Sequence, residues 1–546
     1  MRSVLLLLLL ALAPRALPGQ DDSSAGWRTD LEVLATELPR RHPNLFRRLP
    51  RERFDSAVRA LDARLPSLRR EQIVVGLMRL VAMAGDAHTA INPAFDSRVG
   101  FRYYPLRLHL FSDGLFVRRA DPRYAELVGA RVIRIGRSSV EEALRATSSL
   151  IAHDNEMWVQ AQAPFWLMMP EVLTGLGLAR AAERLPLELE KGGRHWTAVV
   201  QPAGRLVPSH HGAGYPVDDA RWSDMWSGSA DSGPLWLRQT GVPYWVDYDP
   251  AVRTLYIGYR AVQSMADGES NTAFFKRVFA LADSVPVDRF VLDVRENSGG
   301  NSHYNRQVVL GIVRRPAIDR KGTLFAIVGR HTFSAAQSLV NELERYTNVT
   351  FVGEPTGSAP NFFGDHERLV LPHSGISVMV STLWWQTLNP RDRRPFVAPR
   401  IAASLSSADY RAGIDPALRA ILAARGRPSL AERITPPLRS TDTALAARRL
   451  REYRAEPENA YADIEQEVNA LGYEFLEGGK LDLAIAVFRL NADAYPRSAN
   501  AHDSLGEAYE RSGRRELAIA SYRRALAINP ATESSRKALI RLTASR

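Results

Sequence analysis

The 546-residue sequence contains no cysteine. This absence excludes disulfide bonds, thiolate metal ligands and a cysteine nucleophile, so stability must come from the size of the core. Lysine is nearly absent too, with five among 71 basic residues and none between Lys321 and Lys480. A lysine base is therefore excluded from that interval.

Several other signatures are missing. After the first twenty residues, no apolar run approaches the roughly 20 residues that a membrane-spanning helix needs. There is no HExxH zinc motif, no GxxxxGK[ST] phosphate loop and no GxSxG elbow. The formal net charge of +11 falls to +9 without Arg2 and Arg15, and the basic residues form no block with interleaved aromatics. This pattern disfavours nucleic-acid binding.

The first twenty residues have the pattern of a secretory signal peptide. Arg2 precedes an apolar run from Val4 to Ala13, and a small, proline-containing stretch follows. A buried N-terminal helix is the alternative, but the run has no polar face. The sequence therefore predicts a signal peptide at 1–20 and a secreted or periplasmic protein without a membrane span after its removal.

Periodicity divides the first half of the mature chain. From Trp27 to about Ala84, apolar side chains repeat at three- and four-residue steps. This predicts a helical cap at 27–100 whose last helix ends at Gly85. Residues 101–202 read as short strands with one helix, a compact α+β module. Residues 203–233 are rich in Pro, Gly, Ser, Asp and His, and we interpret them as a linker.

Strands and helices alternate between residues 234 and 424. Such alternation predicts a mostly parallel sheet flanked by helices, with ligands gathering at the carboxyl ends of the strands. Residues 425–458 lack periodicity and are interpreted as a second linker.

The C-terminal region 459–546 repeats itself every 34 residues. The matching pairs are Gly472 and Gly506, Gly479 and Gly513, Ala484 and Ala518, Phe488 and Tyr522, and Pro496 and Pro530. This period and pattern are typical of tetratricopeptide repeats. Two repeats are fewer than a solenoid usually needs, so we expect flanking helices near 459–468 and 533–543 to cap them.

Ser334 follows a buried-type strand and a sharp turn, and a helix is predicted from this residue onward. Unpaired helix N–H groups and the helix dipole favour negative charge at such a position. Ser334 and Gln337 also have the spacing of a capping box, so a purely structural role is the alternative.

The surrounding segments resemble a known peptidase family. LDVRENSGG, ending at Gly300, resembles its Asp-Leu-Arg-x-Asn-x-Gly-Gly motif, and HTFSAAQ followed by FVGEPTG resembles its nucleophile segment and a Val-Gly-x-x-Thr-Gly turn. Residues 27–424 thus resemble C-terminal-processing serine peptidases and the tricorn core. The resemblance implies that Ser334 is the nucleophile and that the amides of Gly299, Gly300 or Ala335 hold the oxyanion.

The resemblance also directs the choice of base. Many family members use a lysine about two dozen residues after the serine, which this sequence lacks. GDAHT resembles the Asp-x-His-Thr segment of the tricorn-like branch, which makes His88 the candidate base. That branch carries a serine where this chain has Ala87. The alternative is a histidine that only hydrogen-bonds within a loop.

Three carboxylates are candidates for orienting the histidine. Asp392 precedes RRPFVAPRI, which resembles the family's segment near its catalytic glutamate, while Glu354 and Asp86 lie beside the recognised motifs. Each is also explained as a loop carboxylate paired with an arginine.

Three further features are less specific. His210 and His211 offer two metal ligands without a third at suitable spacing, so a solvated loop is the simpler interpretation. Trp384 and Trp385 either pack in a core or line a cleft. YAELVGARVIRIGRSSVEEAL resembles half of a PDZ domain, but YYPLRLHLF lacks the glycine-rich turn that binds a carboxylate.

The sequence predicts a multidomain α/β protein: a helical N-terminal cap carrying His88, a PDZ-like α+β module, a crotonase- and Clp-like αβ peptidase core and all-α TPR repeats. The resemblance implies a serine endopeptidase acting on peptides or proteins without metal or organic cofactor, with repeats that bind a protein partner. The alternatives are a catalytically silent binding scaffold and an esterase or amidase for a small substrate.

Overall fold

A computed structural model describes residues 24–205, 221–228, 233–387, 389–424 and 427–544. The chain divides into two compact units. The first comprises residues up to His109 with Leu115–Asp224 and Phe362–Trp385, and the second comprises Leu110–Gly114, Met225–Asn361 and Gln386–Arg546. Phe362–Trp385 was expected within the core at 234–424, but it packs with the first unit. The predicted signal peptide lies outside the described residues.

The first unit begins with three helices. They are α1 (Ser24–Arg41), α2 (Arg51–Asp62) and α3 (Arg70–Ala82). The apolar residues of α3 recur at helical spacing, and seven of them, from Ile73 to Val81, are buried. The chain leaves α3 through Gly85 at φ +67°, a conformation in which a side chain would be disfavoured.

An antiparallel sheet follows in the predicted α+β module. Its strands are β1 (Leu106–Phe111), β2 (Gly114–Ala120), β3 (Arg131–Ile135), β4 (Ser138–Ser139), β5 (Leu185–Lys191), β6 (Arg194–Val200) and β7 (Ser223–Asp224). Three helices, α4 (Val140–Ser148), α5 (Glu156–Trp166) and α6 (Pro170–Gly175), lie between β4 and β5. The strand order is β1-β2-β3-β5-β6, with β4 on β3 and β7 on β2. The short β7 lies within the predicted linker at 203–233, most of which is outside the described residues.

The second unit contains the predicted parallel sheet. Its elements are β8 (Tyr244–Asp249), β9 (Thr254–Tyr259), α7 (Asn271–Ser284), β10 (Arg289–Asp293), α8 (Asn305–Val313), β11 (Leu324–Val328), α9 (Ala335–Tyr346) and β12 (Thr350–Gly353). With the later β15 (Ile401–Ala402), the strand order is β15-β12-β11-β10-β9-β8. All neighbours are parallel except the edge strand β8, which is antiparallel to β9. Both β9 and β11 are buried along their whole length, as expected for strands covered on both faces.

A two-stranded hairpin lies between β12 and β15 in the chain. It consists of β13 (Asn361–Val370) and β14 (Ser377–Gln386). Ala90, just after the predicted base, pairs with Met379 in an isolated antiparallel bridge. Backbone hydrogen bonds thus attach this hairpin to the segment that carries His88, which is why it groups with the first unit.

The rest of the second unit is helical. Its helices are α10 (Ser407–Arg411), α11 (Pro416–Ala423), α12 (Leu430–Arg439), α13 (Thr443–Ala455), α14 (Ile464–Glu477), α15 (Leu481–Ala494), α16 (Ala499–Arg511), α17 (Arg515–Ile528) and α18 (Glu533–Ala544). The 34-residue repeats correspond to the pairs α14–α15 and α16–α17, and α18 is the predicted C-terminal cap. Across the described residues, no helix combines the length and apolarity needed to cross a membrane.

The linker prediction at 425–458 is wrong. This segment forms α12 and α13, a third helical pair whose Ile434, Leu438 and Leu450 share one core with the repeats. Helix α12 starts 34 residues before α14, so the pair keeps the period of the repeats. The predicted fold class, multidomain α/β with a helical C-terminal region, is confirmed.

Candidate active site

Ser334 occupies a backbone conformation that side chains rarely adopt. It lies between β11 and α9 at φ +56° and ψ −122°, a region normally reserved for glycine. Its side chain makes no capping hydrogen bond to α9, and Gln337 is buried and donates to Asn341 Oδ1 instead. The capping-box interpretation therefore fails, and the hydroxyl is presented on a turn that costs conformational energy.

Three turns at the carboxyl ends of neighbouring parallel strands hold this conformation. Thr332 Oγ1 donates to Val294 O at 2.8 Å, and the Phe333 amide donates to Asn297 O at 3.0 Å. On the other side, the Ser334 amide donates to Ser358 Oγ at 3.3 Å. Thr332, Asn297 and Ser358 are fully buried. Ser334 is thus fixed by the turns after β10 and β12 as well as by the turn after β11 in which it lies.

The glycine turn after β10 lies against Ser334. A Cβ on Gly299 would stand 2.7 Å from Ser334 Cβ and 2.9 Å from the Ala335 nitrogen. Gly299 and Gly300 have φ of +106° and +137°, so both require glycine. The Gly299 amide already donates to Asn297 Oδ1 at 2.9 Å. Of the three predicted oxyanion donors, the amides of Gly300 and Ala335 are therefore the better candidates.

A buried ion cluster anchors this turn to the sheet. Arg295 donates to both oxygens of Asp415, at 3.0 and 2.7 Å, and to Asp293 Oδ1 at 3.0 Å. Burial alone would lower the pKa of Arg295, but the two carboxylates outweigh it and raise that pKa well above its usual value. Asp415 also caps α11 through the amides of Ala417 and Leu418. The ion pairs of Arg295 thus fix the position at which the glycine turn begins.

In the first unit, Asp86 organises the segment that carries His88. Asp86 Oδ1 accepts the amides of His88 and Thr89, both at 3.0 Å, and the hydroxyl of Ser381 at 2.7 Å. Its Oδ2 lies 2.9 Å from His42 Nε2. Burial would raise the pKa of Asp86, but the hydrogen bonds from His42 and Ser381 outweigh it and lower that pKa. Asp86 therefore fixes the loop backbone through the amides of His88 and Thr89.

Sequence reasoning missed His42 and Ser381. The Asn44 amide donates to His42 Nδ1 at 3.1 Å, so Nε2 carries the proton that is donated to Asp86. Both side chains are almost fully buried. No local signal marks them, because 44 and 295 residues separate them from Asp86.

The His88 ring is half-buried against an aromatic residue of the hairpin. It stacks on Phe362 with ring centroids 5.7 Å apart and planes inclined by 11°. Burial lowers the pKa of His88 to about 4, against a smaller opposing effect of Asp86. The imidazole is therefore neutral at neutral pH, which is the state that accepts a proton.

The two other candidate carboxylates, both in the second unit, are engaged by arginines. Asp392 accepts hydrogen bonds from Arg394, which also binds Glu344. Burial would raise the pKa of Asp392, but the hydrogen bond from Arg394 outweighs it and lowers that pKa. Glu354 accepts from Arg330 at 2.6 Å. Both carboxylates are thus paired with an arginine, which fits the alternative interpretation as ordinary loop carboxylates.

The remaining sequence candidates offer little for chemistry. His210 and His211 lie outside the described residues, and within the described ranges no group of three His, Cys, Asp or Glu side chains is arranged to hold a metal. Trp384 packs within the first unit, beneath the guanidinium of Arg47 at 4.1 Å and against Phe363 at 4.7 Å. Its interpretation as a packed residue fits these contacts.

Comparison of the structure with solved structures decides the fold. A serine-to-alanine variant of CPAF matches with a TM-score of 0.53 and 12% identity, covering 73% of this chain and 98% of that one. Mature CPAF complexed with lactacystin matches with a TM-score of 0.52 and 11% identity, covering 73% and 99%. This chain has the CPAF fold. The photosystem II D1 C-terminal processing protease also matches, at a TM-score of 0.33 and 13% identity over 70% and 93% of the chains.

At 11–12% identity, the similarity to CPAF is a similarity of fold. The predicted resemblance is confirmed for the fold. The tetratricopeptide repeat family matches residues 499–532, so the chain carries this repeat in α16 and α17. None of the curated proteins matches the sequence. The CPAF-like fold leaves about a quarter of the chain unmatched.

Proposed function

We propose that this protein is an exported serine endopeptidase that cleaves peptide bonds through an acyl-enzyme on Ser334. The observation that carries the proposal is the conformation of Ser334, at φ +56° and ψ −122° before α9, with no capping hydrogen bond to that helix. Conformational energy of about 1–3 kcal/mol at such a residue persists only when the surroundings enforce it, and such residues concentrate at functional sites. The CPAF fold supports the same assignment.

The proposed base is His88. Its low pKa keeps the imidazole neutral near neutrality, and Asp86 fixes the backbone of its loop. Phe362, on which the ring stacks, follows Ser358 by four residues in the sequence, and Ser358 accepts the Ser334 amide.

The reaction would proceed in two steps. The Ser334 Oγ attacks the carbonyl carbon while His88 takes the hydroxyl proton, and the amides of Gly300 and Ala335 stabilise the oxyanion. The C–N bond breaks as His88 returns the proton to the leaving amine, which leaves an ester on Ser334. Water then hydrolyses this ester, with His88 as the base again.

A fluorophosphonate probe tests the assignment on the mature chain. The protein should be labelled, Ser334→Ala should abolish labelling, and His88→Ala should slow it by about 10²–10⁴-fold. Matched controls are Ser284→Ala and His195→Ala, because both residues are exposed and lie outside the site. Circular dichroism of each variant separates loss of chemistry from loss of fold. Undiminished labelling of Ser334→Ala would refute the mechanism.

The same assay distinguishes the alternatives. A folded protein that the probe does not label would be a binding scaffold rather than a hydrolase. Turnover of simple esters without cleavage of a peptide library would indicate an esterase or amidase. Asp392→Asn and Glu354→Gln test the orienting carboxylate, and the one that slows labelling at an unchanged melting temperature fills that role.

We further propose that the protein is secreted or periplasmic and that its repeats recruit a protein partner. The proposed export depends on the composition of residues 1–20. Recruitment depends on the tetratricopeptide match at 499–532 and on the third helical pair, which brings the array to the three units usually required for stability.

A further inference from the structure

A groove in the C-terminal helices lies between α13 and α15. These are the second helices of consecutive helical pairs, and the groove between them encloses about 640 Å³. None of the turns around Ser334 lines the groove.

Each helix contributes one continuous stripe to the groove. The lining residues recur at three- and four-residue spacing, from Thr443 to Arg454 on α13 and from Asp482 to Ala494 on α15. The stripe on α13 covers 12 residues, or about 18 Å of helix. The floor is apolar and contains several small side chains: Ala444, Ala447, Leu450, Ile485, Ala486, Leu490 and Ala494.

The walls of the groove carry an excess of positive charge. Four arginines and two aspartates line it: Arg451, Arg454, Arg489, Arg514, Asp482 and Asp493. Arg514 pairs with Asp482 at 2.6 Å, and Arg454 lies over the ring of Tyr495 at 4.7 Å. Within the part of the chain that the structure describes, Arg451 and Arg489 have no carboxylate partner.

We propose that this groove binds an acidic amphipathic helix of a partner protein. Side-chain ridges of a helix pack into the grooves of others, and the alanines on the floor leave room for larger apolar side chains. Arg451 on α13 and Arg489 on α15 are exposed on opposite walls. They match a ligand with one apolar stripe and carboxylates on both flanks, since desolvated guanidiniums require anionic partners.

Synthetic peptides of about 16 residues provide the probe, because shorter isolated helices are marginal in water. The first carries Leu at positions i, i+3, i+4 and i+7 with Glu on both flanks. The second has Lys in place of Glu, and the third has Ser in place of Leu. Binding is measured by fluorescence polarisation on the full mature chain with Ser334→Ala, so the result does not depend on turnover or on the proposed hydrolase mechanism.

We expect the Leu/Glu peptide to bind and the other two to bind at least about tenfold more weakly. The double variant Arg451→Glu with Arg489→Glu should bind the Leu/Glu peptide about tenfold or more weakly than the parent and should bind the Leu/Lys peptide more tightly. Ala486→Trp, which fills the groove, should weaken binding of the Leu/Glu peptide without altering the net charge of the protein. The matched control is Arg523→Glu with Arg524→Glu on α17, which are exposed and give the same change in net charge.

Three results would overturn the proposal. Equal binding of the Leu/Glu and Leu/Lys peptides would contradict a preference for acidic ligands. An equal loss of affinity in the α17 control would mean that the net positive charge of the protein, and not the groove, attracts the peptide. Absence of peptide binding would exclude the proposed occupant. If sedimentation then showed a dimer that Arg451→Glu with Arg489→Glu dissociates, the groove would belong to a second copy of the chain.

Discussion

Replacing Gly299 by alanine tests the close approach that fixes Ser334. The new Cβ would stand 2.7 Å from Ser334 Cβ, 2.9 Å from the Ala335 nitrogen and 3.0 Å from the Phe333 oxygen. Two of these three neighbours are backbone atoms, which cannot rotate away. Gly299 also sits at φ +106°, where an L side chain is disfavoured in any surroundings.

The expected cost has two parts. Placing a side chain at this φ costs about 1–3 kcal/mol. Inserting a methyl group into a filled site costs about another 1–3 kcal/mol. The free energy of unfolding should therefore fall by roughly 2–6 kcal/mol in total. If the turn moves to relieve the contact, Ser334 and Ala335 move with it, and a displacement of about 1 Å costs on the order of 10²-fold in rate.

Gly322→Ala is the matched control in the same unit. Gly322 has φ +79°, but a Cβ there would meet no atom within 4 Å, so this variant carries the backbone cost alone. Urea unfolding and the rate of fluorophosphonate labelling are measured on both. Gly299→Ala should lose labelling by about 10²-fold, whereas Gly322→Ala should label normally. Near-normal labelling of a folded Gly299→Ala would refute the dependence of Ser334 on this contact.

Three further predictions concern His88 and Asp86 of the first unit. Because burial lowers the pKa of His88 to about 4, labelling of Ser334 should keep its rate down to about pH 5 and fall near pH 4; a fall centred near 6.5, the ordinary value for histidine, would contradict this. Between pH 6.5 and 4 the unfolded chain binds the extra proton at His88, so stability should decrease as pH falls, and His88→Gln should remove that component of the urea midpoint. Asp86→Ala should lower the free energy of unfolding by about 3–5 kcal/mol, because it leaves buried donors without their acceptor. The control is Glu126→Ala at an exposed position. Equal urea midpoints for the two variants would contradict a stabilising role for the hydrogen bonds to Asp86.

Local sequence patterns account for the sheet and for the turn of the nucleophile. The apolar runs of β9, β10, β11 and β12, separated by helical segments, predict a parallel sheet, because only strands covered on both faces lack polar alternation. The motif around Gly299 and the strand–turn–helix around Ser334 lie at the carboxyl ends of these strands. Each is a short stretch whose conformation depends on neighbouring residues in the sequence.

The third helical pair shows where a local pattern fails. In the recognised repeats, glycine makes room for an aromatic ring: a Cβ on Gly472 would stand 2.5 Å from Phe488, and one on Gly506 would stand 2.8 Å from Tyr522. The equivalent residues 34 positions earlier are Leu438 and Arg454. Helices α12 and α13 therefore form and share the core without the glycine–aromatic signature by which the sequence reveals the repeats.

By itself, the sequence determined the fold class, the period of the repeats, the mostly parallel character of the sheet and the candidates Ser334 and His88. Tertiary structure alone decided that His42 and Ser381 hydrogen-bond to Asp86, that Asp415 anchors the glycine turn, and that the hairpin at 362–385 packs with the first unit. The physical reason is separation along the chain. Residues 120 or 295 positions apart meet only after the core has formed, and their pairing leaves no periodic or compositional trace.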